Sequence, residues 1–223
     1  MCAGLCPANA ATTTFGAVSD DFDRDKTFPE ASTTEPNPIG TQYTIASGTW
    51  EIAHNLLQAT DGGIMYENTL KTKSADGFSF TLQADNLFSG TVQGLVFHLQ
   101  DASNYYVLRY SKNPKTSLAT IEFVVMVNGV GRKLDSSTGL DLVSTKYYTM
   151  SISSSTTQAN TFTFSISEIG SETPIYSNTV TDATFTDGYS GFFRAGGTAR
   201  WDNYSLTVLQ AAPGTPPSKK TSR

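Results

Sequence analysis

The chain has 223 residues, long enough for one large β-domain, and its hydrophobic fraction of 38% includes 13 Phe and 10 Tyr. Only 16% of the residues are charged and the net charge is −5; without Lys219, Lys220 and Arg223 of the Pro-rich C-terminus, twelve basic residues face twenty acidic ones. This acidic balance argues against nucleic acid and anionic membranes as partners, and it is compatible with neutral ligands and bound cations.

The two ends of the chain differ in composition from its middle. Residues 1–17 contain the only cysteines, Cys2 and Cys6, and an A-x-A cleavage-like sequence at 8–10, but not the apolar run of a complete signal peptide. We interpret them as a leader, either the remnant of a secretory signal or an ordinary disordered extension. Residues 210–223 are a Pro/Ser/Lys tail, which indicates a linker to a further domain or a surface anchor.

Residues 18–209 are predicted to form a single domain built of short strands. An acidic start at 19–24 and a proline-containing loop over 25–41 precede them. Alternation with period two predicts strands within 43–52, 55–59, 64–70, 77–85, 118–128, 147–153, 161–168, 174–180, 189–194 and 199–209, in addition to a hairpin over 94–110. No segment has a helical stripe, and no run approaches the ~18 apolar residues of a membrane span. The fold class predicted is all-β, an antiparallel two-sheet jelly-roll sandwich.

The clearest single element is the hairpin over 94–110, with a run of turn-forming residues at 101–104. One face carries apolar residues that we expect in the core: Leu95, Phe97, Leu99, Tyr106, Leu108 and Tyr110. The opposite face carries polar and aromatic residues: His98, Gln100, Tyr105 and Arg109. Such a ribbon is typical of an antiparallel sheet with one buried and one solvated face. Further along, Asn128-Gly129 is a signal for a type I′ turn.

Several motifs, taken in order, resemble the concanavalin A-like (laminin-G-like) jelly-roll modules of secreted carbohydrate-active and cell-surface proteins. They are DDFDR (20–24), SGTWEI (47–52), GLVFHLQDASNYYVLRY (94–110), YYTMSIS (147–153) and FTDGYSGFFRAGGTARWDNYSL (185–206). The resemblance covers about residues 18–209. It implies two curved antiparallel sheets, and it implies sugar binding, or an accessory role to an attached enzyme, as the expected function.

Two groups of residues are candidate binding sites. The first is the wet face of the hairpin, extended by neighbouring strands, where planar cationic donors, a carboxylate and aromatic rings suit an oligo- or polysaccharide: His98, Gln100, Tyr105, Arg109, Glu122 and Arg194. The alternative is that these are ordinary cross-strand pairs on a solvated face. The second group is Asp21, Asp23 and Asp202, which would meet if the first and last strands pair. The resembled modules imply a structural Ca²⁺ near the chain ends, and carboxylates are its preferred ligands; the alternative is a solvated strand start.

Catalytic motifs are scarce in this sequence. The E-x-D-x-x-E arrangement of jelly-roll glucanases is absent, the strand glutamates Glu51, Glu122 and Glu168 are isolated, and there are only two histidines. The sequence therefore favours a secreted or cell-surface, non-catalytic, lectin-like module that binds a glycan on its concave sheet. Two alternatives stay open: a glycan-degrading enzyme (a hydrolase, or a lyase using Arg109, His98 and a tyrosine) and a structural or adhesion module without a sugar site.

Overall fold

The computed structural model describes residues 12–23, 39–75, 77–88, 92–113, 115–144 and 146–212, and all regular secondary structure in these ranges is β-strand. The strands are, in chain order, β1 (Thr12–Asp20), β2 (Tyr43–Ile45), β3 (Trp50–Ala53), β4 (Leu56–Ala59), β5 (Gly63–Lys73), β6 (Phe78–Leu87), β7 (Val92–Asp101), β8 (Asn104–Lys112), β9 (Ala119–Val127), β10 (Val130–Leu140), β11 (Tyr147–Ser154), β12 (Thr161–Glu168), β13 (Tyr176–Thr181), β14 (Asp187–Ala195) and β15 (Ala199–Ala211). Within the described ranges no helix has the length and hydrophobicity needed to span a membrane.

The strands form two antiparallel sheets that pack face to face. The eight-stranded sheet has the order β13-β12-β11-β6-β15-β4-β3, and β1 adds to β15; the seven-stranded sheet has the order β10-β9-β8-β7-β14-β5-β2. Between them lies a core rich in aromatic rings, in which Phe97, Tyr106 and Phe123 of the seven-stranded sheet meet Phe162 of the other sheet. The predicted all-β, two-sheet antiparallel sandwich is confirmed.

The first and last strands pair, as expected, but both extend beyond the predicted domain limits. β1 begins at Thr12, inside the segment interpreted as a leader, because residues 12–14 pair with residues 209–211 of β15. β15 itself ends at Ala211, inside the predicted tail. The remaining leader positions 1–11, the loop positions 24–38 and the tail positions 213–223 lie outside the described residues.

The hairpin over 94–110 forms β7 and β8, but its first arm does not alternate throughout. Leu95 and Phe97 face the core as predicted, and so do Tyr106, Leu108 and Tyr110 of the second arm. The register then shifts between Phe97 and Asp101, and His98 adopts a left-handed φ of 48°. A β-bulge of this kind adds a residue to one strand and reverses the faces beyond it.

The bulge makes two predictions wrong. His98 was expected on the wet face with Gln100, but it is fully buried among the rings of Phe80, Phe97, Tyr106 and Phe162. Leu99 was expected in the core, but it lies in a separate apolar cluster on the other side of the sheet. The adjacent strand fits the bulge through Gly188, where a Cβ would lie 2.4 Å from the His98 carbonyl carbon.

Two turns match their sequence signals. Asp101 Oδ1 accepts hydrogen bonds from the Ser103 amide and the Asn104 side chain, and so closes the β7–β8 turn. Asn128 and Gly129 have φ values of 52° and 76°, which are the two positive values that a type I′ turn requires. This turn joins β9 to β10, a strand whose own sequence shows too little alternation to be assigned.

Candidate functional site

The seven-stranded sheet has an unusually apolar outer face, by which we mean the side turned away from the eight-stranded sheet. Its buried members form a cluster separate from the main core: Ile64, Val96, Leu99, Tyr105, Val107 and Val124. Half-buried side chains pack around them: Tyr66, Met126, Tyr189 and Phe193. A solvated sheet face normally alternates apolar-in and polar-out, and this second apolar cluster departs from that pattern. Its six members are at most 5% exposed, so the half-buried side chains around them are the part that a ligand could reach.

Aromatic rings form one half of this outer face. Tyr66 of β5 and Tyr189 of β14 stack with their ring centroids 5.2 Å apart and their planes 30° apart. The Lys71 ammonium lies 5.0 Å from the centroid of the Tyr189 ring, in cation–π distance. Tyr105 and Phe193 form a second, looser pair at 6.4 Å. The rings are therefore held in place by one another, and Tyr66 and Tyr189 remain partly open to solvent.

Charged residues form the other half. Arg109 of β8 donates from Nε and Nη2 to Glu122 Oε2, at 2.9 and 2.8 Å, and Lys133 Nζ lies 2.5 Å from Glu122 Oε1. Burial by itself would raise the pKa of Glu122, but the hydrogen bonds from Lys133 and Arg109 lower it below its usual value. Glu122 therefore stays ionised, and the group of Arg109, Glu122 and Lys133 has a net charge of +1.

The pairing register connects the two halves. One cross-strand row runs Phe193, Gly94, Arg109 and Glu122, so a glycine separates the aromatic side from the charged side. The neighbouring row runs Tyr66, Gly191 and Val96, with a second glycine beside the tyrosine stack. Both glycines are buried, and a Cβ at either would lie within 2.1 Å of a backbone oxygen of the neighbouring strand, so they serve close strand packing between the two halves.

Of the six predicted ligand-binding residues, the structure brings three together on the outer face: Tyr105, Arg109 and Glu122. Gln100 was also expected on this face, but beyond the bulge it alternates with Leu99 and turns to the other side, where it is exposed and its amide donates to the His98 and Asp187 carbonyls. Burial raises the pKa of the Tyr105 phenol, and Arg109 opposes that shift. Tyr105 therefore contributes a neutral hydroxyl beside the guanidinium.

Arg194 was also expected on this face, and that orientation is wrong. Phe193 faces outward and Phe192 faces the core, so alternation turns Arg194 inward, and only 3% of it is exposed. Its Nε and Nη1 have no hydrogen-bond partner among the described residues. Burial lowers the pKa of the guanidinium, with Asp61 acting in the opposite direction.

His98 cannot act from the outer face because the bulge turns it into the core. Both of its ring nitrogens are buried without a hydrogen-bond partner in the described structure, and burial lowers its pKa from 6.5 to about 3. The lyase arrangement of Arg109, His98 and a tyrosine is therefore not assembled. Glu51 binds Gln58, and Glu168 binds Lys146. None of the strand glutamates considered as catalytic residues shares a site with another.

The predicted metal ligands Asp21 and Asp23 lie close enough to Asp202 to act on its pKa. Burial raises the pKa of Asp202, and the neighbouring carboxylates Asp85, Asp21 and Asp23 raise it further, although the Asn203 amide opposes the shift. However, the described residues include no group of three or more Asp, Glu, His or Cys side chains that could hold a metal. A Ca²⁺ ion here would therefore need backbone carbonyl groups or water as ligands in addition to these carboxylates.

Comparison with solved structures gives the fold. The carbohydrate-binding module CBM66 from Bacillus subtilis superposes with a TM-score of 0.53 at 18% identity, over 76% of this chain and 96% of its own. The fold is a concanavalin A-like jelly roll. The VIP36 exoplasmic/lumenal domain, solved in its Ca²⁺/Man3GlcNAc-bound form, superposes with a TM-score of 0.53 at 10% identity, over 81% of this chain and 91% of its own.

A third similar structure is a longer chain, of which this chain spans only part. The GH43 protein BlXynB from Bacillus licheniformis superposes with a TM-score of 0.52 at 14% identity, over 86% of this chain but 39% of its own. No protein-family model matches the chain, and no curated protein matches it in sequence. At these identities the likeness establishes the jelly roll, and function has to be argued from the surface described above.

Sequence reasoning missed the aromatic half of the outer face. Tyr66 and Tyr189 are far apart in the chain and meet because β5 and β14 are neighbours in the sheet. Alternation along each strand does place Ile64 and Tyr66 on one face of β5, and Tyr189 and Ser190 on opposite faces of β14. The sequence gives no signal that β5 and β14, which are far apart in the chain, are neighbours in the sheet.

Proposed function

We propose that this chain is a non-catalytic glycan-binding module, and that the outer face of the seven-stranded sheet is its binding surface. The observation that supports this is the partly exposed Tyr66–Tyr189 stack in the same face as the Arg109–Glu122–Lys133 group. Aromatic faces bind the C–H surface of a sugar ring, while an oriented guanidinium and a carboxylate bind its hydroxyl and acidic groups.

The charge of this face favours a glycan with acidic substituents. Lys71, Arg109 and Lys133 are located on it by their contacts with Tyr189 and Glu122, and Glu122 is the acid that balances them. The face is thus positive although the whole chain has a net charge of −5. A carboxylate or sulfate group on the ligand would neutralise the excess and add electrostatic attraction that falls with ionic strength.

Affinity electrophoresis against a panel of neutral and acidic polysaccharides tests this proposal. We expect wild type to be retarded by at least one acidic polysaccharide, and Tyr66→Ala to lose most of the retardation. Tyr147→Ala is the matched control, because Tyr147 is a half-buried tyrosine on the outer face of the other sheet. Equal mobility of wild type and Tyr66→Ala on every polysaccharide would refute the proposed site.

A structural or adhesion role is the second candidate, and one observation favours it. The centre of the outer face is filled by fully or nearly buried aliphatic side chains, such as Val96, Val107 and Val124, rather than by polar groups. An apolar centre with a polar margin also resembles a protein interface. If the polysaccharide panel gives no retardation while Tyr66→Ala abolishes binding to a second protein, the adhesion role replaces the glycan role.

Secretion and a structural Ca²⁺ are part of the same proposal. Burial and the carboxylates of Asp85 and Asp21 raise the pKa of Asp202, and a cation beside Asp202 would relieve this repulsion. The expected outcome is a higher thermal midpoint in CaCl₂ than in EDTA, with no such difference in Asp202→Asn. If wild type has the same thermal midpoint in CaCl₂ and in EDTA, the proposed Ca²⁺ site is refuted. Attachment to a further domain through the C-terminal tail also remains a proposal.

A further inference from the structure

A cavity on the opposite side of the sandwich has no role in the function proposed above. It lies on the outer side of the eight-stranded sheet, where β1, β15 and β6 run side by side, and has a volume of 440 Å³. Ser19, Gln83 and Ser205 lie in one cross-strand row along its lining. This volume is within the range of small-ligand sites, roughly 300–1,000 Å³.

A second β-bulge shapes the cavity. The register between β15 and β6 shifts between Asp202 and Ser205, and Asn203 has a left-handed φ of 48°. The bulge turns Tyr204 into the core, where its hydroxyl pairs with Ser190, and leaves the Asn203 amide on the outside, bonded to Asp85. Bulges commonly re-aim side chains at functional sites.

The polar groups of the lining are arranged for hydrogen bonding. Asp20 is held in place by the Phe22 amide on Oδ1 and by the Gln42 side chain on Oδ2, so its carboxylate is an oriented acceptor. Gln83 is exposed, and neither its amide nor the Ser19 and Ser205 hydroxyls form a hydrogen bond with another described residue. Amide donors and acceptors, hydroxyls and a fixed carboxylate together match a ligand that carries several adjacent hydroxyl groups.

The same groups select against other ligand classes. Asp20 and Asp21 are the charged members of the lining and both are acidic, so an anion is repelled. The Tyr204 ring is buried, so no exposed aromatic ring in the lining is available for stacking. Asp20 and Asp21 are only two of the eight lining residues, so a cation alone does not account for the Gln83 amide and the serine hydroxyls. A neutral sugar residue satisfies all three conditions.

We propose that this cavity is a second binding site, specific for a neutral sugar residue and independent of the outer face of the seven-stranded sheet. A row of serines continues its floor across the sheet, from Ser205 and Gln83 to Ser151, Ser165 and Ser177. These residues offer further hydroxyl contacts to a longer neutral chain. The module would then hold two glycans of different charge on its two faces.

Titration of ¹⁵N-labelled protein with methyl glycosides of neutral hexoses and pentoses tests this site. We expect at least one glycoside to shift the backbone amides of residues 19–21, 83 and 203–205 in the millimolar range. Gln83→Ala should weaken that binding about five-fold, as expected for losing one hydrogen-bonding side chain. Gln158→Ala, an exposed glutamine in the turn after β11, is the matched control and should titrate as wild type.

Independent variants separate this site from the first one. Arg109→Ala should leave the methyl glycoside titration unchanged, because Arg109 lies on the other sheet. Three results would overturn the proposal: no shift in these amides with any glycoside, shifts in them with CaCl₂ alone but not with sugars, or a Gln83→Ala titration identical to wild type.

Discussion

Replacement of His98 by leucine should make the protein much less sensitive to acid. In the folded state burial lowers the pKa of His98 from 6.5 to about 3, and neither ring nitrogen has a described partner. The unfolded chain takes up a proton near pH 6.5, whereas the folded chain does not until the pH is far lower. A depressed histidine pKa therefore costs stability as pH falls below 6.5.

The size of the effect follows from the two pKa values. At pH 8 the imidazole is neutral in both states and makes no contribution. At pH 5 the unfolded histidine is almost fully protonated and the folded one is neutral, which costs about 2 kcal/mol of unfolding free energy.

Urea unfolding at pH 5, 6, 7 and 8, followed by the fluorescence of the buried Trp50 and Trp201, measures this effect. Between pH 8 and pH 5, wild type should lose about 2 kcal/mol more stability than His98→Leu. His54→Leu is the matched control, since His54 is exposed and has a similar φ of 56°. Equal losses in wild type and His98→Leu would mean that the imidazole reaches water or a partner, and would reopen a catalytic role for it.

Two further predictions concern stability. Gly94→Ala would place a Cβ 1.9 Å from the Leu108 carbonyl oxygen and should cost roughly 3 kcal/mol or more, measured by urea unfolding. Gly62→Ala is the control, because its Cβ meets no atom closer than 3.6 Å, and it should change stability by less than about 0.5 kcal/mol. If Gly94→Ala and Gly62→Ala lower the stability equally, the close strand contact at Gly94 is wrong. In the absence of Ca²⁺, Asp202→Asn should raise the thermal midpoint at pH 8. Burial and neighbouring carboxylates raise the pKa of Asp202, so its ionised form destabilises the fold as pH rises. An unchanged or lower midpoint would contradict that.

The fold could be predicted because alternation is a strong signal in most of these strands. The second arm of the hairpin shows this, since Tyr106, Leu108 and Tyr110 all face the core as expected. The Asn128-Gly129 turn was equally readable, because few other residue pairs tolerate two positive φ values. The ends of the first and last strands could not be predicted, because Thr12–Thr14 lack an apolar pattern and form a strand only by pairing with β15.

The candidate site was only partly predictable, for two physical reasons. His98 and Leu99 exchange faces at a bulge that depends on Gly188 of a neighbouring strand, so the local sequence gives no sign of it. Arg109 and Glu122 were assigned together correctly because β8 and β9 are consecutive strands, whose pairing is the simplest expectation. Tyr66 and Tyr189 belong to strands that are not consecutive, and local patterns carry no information about such pairs.

The most direct test of the binding surface is to map the bound glycan onto the sheet. ¹⁵N-labelled protein is titrated with an oligosaccharide of whichever polysaccharide retards it most strongly in electrophoresis. The proposal predicts that the largest amide shifts fall at Tyr66, Tyr105, Arg109 and Tyr189, and that Arg109→Ala abolishes saturation. Shifts confined to other parts of the chain, or none with any glycan of the panel, would contradict it.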